Sequence, residues 1–223
     1  MELHRDHKRF KEWNTEATAS IIQKKFPESV VIVIKPSKMH LRTFAVYSNF
    51  VESNDFGAPT YSSDFGALKH LSCLYDSVLT EMHQKYSLNH LKDTSIYLIG
   101  FSKGCVVLNQ IISELPQFDK DSNLTSFLHR IKKFYWLDGG HSGKEVTWII
   151  DETPLRHLAA LDADINIHIT PYQVRDPLRM WIGEQEHKFY RKLKKLNAKV
   201  TETEHFGAEP GSIENHFKVL LDF

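Results

Sequence analysis

The 223-residue chain carries 28 Lys+Arg against 28 Asp+Glu, a formal net charge of +0, and is 41% hydrophobic. This balance excludes nucleic acid and an anionic membrane as partners drawn in by long-range attraction, and no run approaches the roughly 20 apolar residues of a bilayer-crossing helix. The length suits one α/β domain over residues 1–223.

Residues 1–14, MELHRDHKRFKEWN, have neither the apolar core of a signal peptide nor an acid-poor, Arg/Ser-rich targeting character, so no address segment is expected in the chain. Asn14 or Thr15 caps a first helix whose apolar side is Ala17, Ile21, Ile22 and Phe26, and Pro27 stops it. Val30-Val31-Ile32-Val33-Ile34 reads as a central parallel strand buried on both faces. Residues 37–64 lack periodicity but hold Phe44, Tyr47, Phe50, Phe56 and Tyr61, which predicts a folded excursion able to wall a ligand site. Asp64 then caps a helix with Leu68, Leu71, Leu74, Val78, Leu79 and Met82 as its stripe. Cys73 and Cys105 fall in expected helices and read as buried free thiols of a reducing compartment. The 13 histidines, His4, His7, His83 and His90 among them, follow no metal-ligand spacing, so neither metal nor cofactor is expected.

Thr94–Leu115 organises the rest. Ile96, Tyr97, Leu98 and Ile99 form a short apolar strand, Gly100-Phe101-Ser102-Lys103-Gly104 a tight turn, and Val106, Val107, Ile111 and Leu115 a helical stripe. Strand, Gly-x-Ser-x-Gly turn and helix together predict a nucleophile elbow. The turn strains the serine backbone, small flanking residues admit strand and helix close together, and the hydroxyl stands at the positive end of a helix. Further elements follow: a helix around Leu124–Ile131, a strand Phe134–Leu137 ending at Asp138-Gly139-Gly140-His141, and a short helix from Pro154. Next come a strand Ile165–Ile169, a basic helix Glu184–Leu196, an edge strand Val200–Phe206 and a last helix capped by Ser212. Alternating strands and helices predict an α/β fold of hydrolase type, a mostly parallel sheet with helices on both faces and a ligand site at the strand C-termini.

A serine nucleophile needs a histidine to take its proton and a carboxylate to orient that histidine, here in the chain order Ser, Asp/Glu, His. Asp176 in the loop after the penultimate strand is the preferred acid, with Asp138 second. His216, at the start of the last helix, is preferred as base over His205, which seats itself within the last strand; His141 is an outside candidate. The backbone N–H of Lys103 is one oxyanion donor. The second normally comes from a glycine-rich loop after an early strand. The first glycine is Gly57 and no strand precedes Asn14, so the first strand or strands of such a fold are missing here.

GFSKGCVVLNQ, YWLDGGHSG, TPYQVRDP and SIENHF, with MHL, FGAP and DFGA, resemble the uncharacterised α/β-hydrolase-like family first known by a human chromosome-2 open-reading-frame label, from about Trp13 to the end. The resemblance implies a serine-hydrolase-like fold with its elbow at Ser102, a mitochondrial association for full-length members, and no established substrate. Family members carry a longer N-terminal part with a Phe-Pro-Gly-Asp-like turn where an oxyanion loop would lie, which implies that this chain is a shortened form. Without an address segment, the cytoplasm is the alternative location. The expected function is hydrolysis of a small-molecule ester, thioester or other acyl substrate. The alternative is a non-catalytic relative that binds a protein partner through the basic helix GEQEHKFYRKLKKL.

Overall fold

A computed structural model describes residues 10, 12–87, 90–120, 122–141, 143 and 146–223. Most of the N-terminal stretch read for an address segment, with His4 and His7, lies outside the described residues.

Asn14 caps helix α1 (Thr15–Lys25), its side-chain oxygen accepting from the Ala17 N–H at 2.8 Å. The strand expected at 30–34 does not form. The run belongs to no element, and Val30, Ile32 and Val33 are 45%, 41% and 37% exposed. A β-branched run is buried on both faces only inside a sheet, and among the described residues the parallel sheet is built from later strands. The excursion that follows is folded. It forms two short antiparallel hairpins, β1 (Lys38–His40) with β2 (Phe44–Val46) and β3 (Glu52–Ser53) with β4 (Pro59–Thr60). Buried Val46, Phe50 and Val51 anchor them.

Helix α2 (Ala67–Tyr86) is not capped by Asp64. Gly66 takes the cap position at φ 97°, a conformation open to glycine, with no side-chain cap of its own. The carboxylate of Glu114 instead accepts from the N–H groups of Gly66, Ala67 and Leu68 at 2.8, 2.7 and 3.1 Å. A distant residue thus satisfies donors that a helix start cannot satisfy alone. Cys73 in α2 is exposed, against expectation, because it lies off the buried side carrying Ala67, Leu68 and Leu71; Cys105 is buried.

The main sheet has four strands, all parallel, in the order β5 (Ile96–Phe101), β6 (Ile131–Leu137), β7 (Asp164–Ile169), β8 (Val200–Glu204). Between and after them run α3 (Cys105–Glu114), α4 (Ser122–Arg130), α5 (Glu152–Ala160), α6 (Pro171–Val174), α7 (Met180–Lys195) and α8 (Ile213–Asp222). Successive residues of a strand point to opposite faces, and β6 shows what each face meets. Phe134 and Trp136 enter the larger core with Ile111 and Ile112 of α3, Leu155 and Leu158 of α5, and Phe189 of α7. Leu137 and Tyr135 face Val219 and Leu220 of α8, with Trp13 beside them. Helices therefore cover both faces, as an α/β fold requires. β8 is an edge strand whose only buried residue is Val200, and β5 forms the opposite edge.

Candidate active site

Strand β5 runs straight into one tight helical turn, Ser102–Gly104, and then into α3. Ser102 sits at φ 51°, a left-handed conformation costly for a residue with a Cβ. Gly100 makes the close approach possible: a Cβ there would fall 2.9 Å from Leu108 Cδ1 and 3.0 Å from the Cα of Cys105. Gly104 is different. Its backbone is helical, and an added Cβ would meet nothing nearer than the Tyr47 hydroxyl at 4.0 Å.

The register of the sheet sets what stands beside Ser102. Phe101 on β5 is paired with Leu137 on β6, so the next residues, Ser102 and Asp138, leave adjacent parallel strands side by side. Asp138 is fully buried and also has a left-handed backbone, at φ 47°. Its carboxylate accepts three hydrogen bonds: from the Thr170 N–H at 2.7 Å, from the Thr170 hydroxyl at 2.7 Å and from His216 Nδ1 at 2.6 Å. Since the carboxylate can only accept, Nδ1 carries the proton in the neutral ring and Nε2 is left as a base. Ser212 caps α8 through the Asn215 N–H and so fixes the turn that presents His216. The imidazole is buried between two aromatic rings, Phe101 at 4.8 Å and Tyr172 at 4.9 Å between centroids. Phe101 directly precedes Ser102, which brings His216 to the elbow. Among the described residues the Ser102 hydroxyl makes no hydrogen bond, to His216 or to any other group; in unliganded enzymes this contact is often long.

The structure does not bring Asp176 to His216. Asp176 lies beyond α6, in a turn that closes on itself: Oδ1 accepts from the Leu178 N–H at 2.8 Å and Oδ2 from Arg179 Nε at 2.6 Å. The Arg179 hydrogen bond, then that of Leu178, holds its carboxyl below the usual carboxylate range. His216 meets Asp138 instead. Nor does His205 reach the serine. Its N–H donates to Ile169 O at the end of β8, three strands from β5, which at the usual strand spacing is about 14 Å. Its Nε2 pairs instead with His168 Nδ1 at 2.9 Å, and burial lowers both imidazoles, His168 to about 4.

Lys103 is the second residue of the elbow turn, where a helical N–H has no partner within the helix. Its ammonium donates to the Phe56 carbonyl and lies 5.8 Å over the Phe44 ring, so the elbow is tied to the excursion. Burial lowers this lysine to about 8. His141 is buried and held in one form, Nε2 donating to Val146 O at 2.9 Å and Nδ1 accepting from the Gly143 N–H at 3.0 Å. Burial foremost lowers it to about 4, which makes it a fixed neutral ring. A cleft lined by Leu128, Ile131, Lys132 and Asp162 opens at the start of β6, the opposite end of the sheet from Ser102. Thr170, Phe101 and Tyr172 are site residues that sequence reasoning passed over. Thr170-Pro171 was the available signal, a threonine and N1 proline starting a helix at a strand end.

The C2orf69 family model matches residues 1–93 and 79–199. The chain belongs to the C2orf69 family. The mitochondrial protein C2orf69 homolog of Danio rerio is 42% identical over 221 residues, covering 95% of this chain and 65% of that protein. Mitochondrial protein C2orf69 of Homo sapiens is 39% identical over 265 residues, covering 98% and 69%, and the Mus musculus homolog is 37% identical over 264 residues, covering 98% and 72%. The chain thus spans about two thirds of the length of these family members. No solved structure matches it.

Proposed function

We propose that this chain carries the catalytic machinery of a serine hydrolase of α/β-hydrolase type, acting on a small-molecule ester or another acyl substrate. The observation that carries the reading is the buried His216–Asp138 hydrogen bond of 2.6 Å, made between residues 78 apart in sequence and set beside a left-handed Ser102. The chain order Ser102, Asp138, His216 is the order of that hydrolase class. In this reading Ser102 Oγ attacks the acyl carbonyl while His216 Nε2 takes its proton. Asp138 stabilises the resulting imidazolium, and the Lys103 N–H donates to the new oxyanion. Collapse breaks the bond to the leaving group, which receives the proton from His216. A water then repeats the sequence on the acyl-serine and releases the acid. The Phe44, Phe56 and His40 cluster beside Lys103 supplies an apolar wall for the acyl or alcohol part. The names of the relatives support a mitochondrial location.

The test is a fluorophosphonate probe followed by peptide mapping. Adduct on Ser102, lost in Ser102→Ala, is expected; a folded protein left unlabelled at millimolar probe sinks the reading. A second reading, a non-catalytic fold that binds a protein partner, is favoured by one observation, the absence of a hydrogen bond between Ser102 and His216. It predicts that blank result together with an intact melting transition.

A further inference from the structure

The proposed chemistry, on which this inference rests, leaves one oxyanion donor unassigned among the described residues. Ahead of β5 the glycines are Gly57, in the turn between β3 and β4, and Gly66, which caps α2. Neither belongs to a glycine-rich loop after a strand of the parallel sheet, the usual source of the second donor. Another polar group stands at the elbow. Tyr47 follows β2 and packs its ring against the main core. Its backbone is pinned, because its carbonyl accepts from the N–H groups of buried Phe50 and Val51 at 2.8 and 3.0 Å. Its hydroxyl is the nearest atom, at 4.0 Å, to the place where a Cβ on Gly104 would stand.

Two features set this hydroxyl apart. Among the described residues it has no hydrogen-bond partner, whereas the neighbouring Tyr61 hydroxyl accepts from Asn109 Nδ2 at 3.3 Å. The hydroxyl is not sealed from solvent, so it is free to donate to a group that enters beside the elbow. Gly104, moreover, has no conformational need to be glycine: it is helical, at φ −61°, and no atom crowds it. What the missing side chain leaves is open space between the Tyr47 hydroxyl and the elbow backbone. Burial keeps the phenol up at about 12, so it remains a neutral donor at physiological pH.

We propose that Tyr47 is a catalytic residue whose hydroxyl is the second oxyanion donor, opposite the Lys103 N–H across the space kept open by Gly104.

The experiment measures the rate of fluorophosphonate labelling of Ser102, in which the phosphoryl oxygen gains charge in the oxyanion site, for wild type, Tyr47→Phe and Gly104→Val. Tyr47→Phe keeps the ring and deletes the donor, and is expected to slow labelling about 10²-fold with an unchanged melting temperature. Gly104→Val keeps the phenol and fills the space before it, with a similar loss expected. It decides the matter if Tyr47→Phe fails to fold. Wild-type rates in the folded variants overturn the role of Tyr47 alone. A wild-type protein that is not labelled at Ser102 overturns the hydrolase reading, and this inference with it.

Discussion

Replacing Asp138 by Asn tests the site at its centre with almost no change of volume. Three donors converge on the native carboxylate: His216 Nδ1, the Thr170 hydroxyl and the Thr170 N–H. An asparagine oxygen can keep the Thr170 N–H. Its NH2 group then faces the Thr170 hydroxyl, which can rotate, and His216 Nδ1–H, which cannot yield without moving its proton. The ring relieves the donor–donor clash by shifting that proton to Nε2. In that tautomer it no longer accepts the proton of Ser102. The same exchange in a Ser-His-Asp triad costs about 10⁴ in rate, or about 5.4 kcal/mol of transition-state stabilisation. We expect a loss of that order in the rate of Ser102 phosphonylation by a fluorophosphonate, followed by intact mass under excess probe.

The matched control is Asp176→Asn. Its ion pair with Arg179 is partly exposed, the two side chains being 23% and 20% accessible. Arg179 approaches the site only indirectly, 5.8 Å over the ring of Tyr172. The labelling rate should stay within about threefold of wild type, since such pairs contribute about 1 kcal/mol or less. Circular dichroism of both variants guards against unfolding. The reasoning fails if the order is reversed, with Asp176→Asn silent toward the probe and Asp138→Asn reacting at the wild-type rate.

Three further outcomes follow from the packing. Glu114→Ala strips the acceptor from the N–H groups of Gly66, Ala67 and Leu68 at the start of α2 and from Gln110 Nε2, and should destabilise the fold by about 3 kcal/mol in urea unfolding; a loss below about 1 kcal/mol refutes the long-range cap. Gly100→Ala sets a methyl 2.9 Å from Leu108 Cδ1 and 3.0 Å from the Cys105 backbone, and should cost about 2 kcal/mol in thermal melts. Burial, then the charge of Glu202, pushes Glu186 up to about 9 from 4.5. The folded chain therefore holds a proton that the unfolded chain releases, and the stability this gives is fully present below pH 4.5 and lost as pH rises toward 9. Glu186→Gln should flatten the fall of melting temperature between pH 5 and 9; parallel curves for the two proteins would contradict it.

What could be read from the sequence was what depends on neighbours in the chain. The elbow strand, turn and helix are coded within Thr94–Leu115, and the left-handed serine follows from sterics local to it. The caps at Asn14 and Ser212 act over three residues and were legible for the same reason. The α2 cap was not, because its acceptor, Glu114, lies 46 to 48 positions away. Val30–Ile34 has the composition of a buried strand, but burial depends on partners that composition does not specify, and Val30, Ile32 and Val33 stand exposed while Ile34 packs on the core. The choice of acid turned on the same point. Asp138 and Asp176 both follow a strand, and their sequence distances from Ser102 do not rank them. Sheet order does. Once β6 is known to pair with β5 and Phe101 with Leu137, the residue after Leu137 must emerge beside Ser102, while anything after β7 or β8 starts one or more strands farther off. His205 fails by that rule. His216 escapes it, because it belongs to no strand: α8 packs against the face of the sheet and carries the histidine over Phe101. The carboxylate beside Ser102 is thus set by strand pairing and the histidine by helix packing.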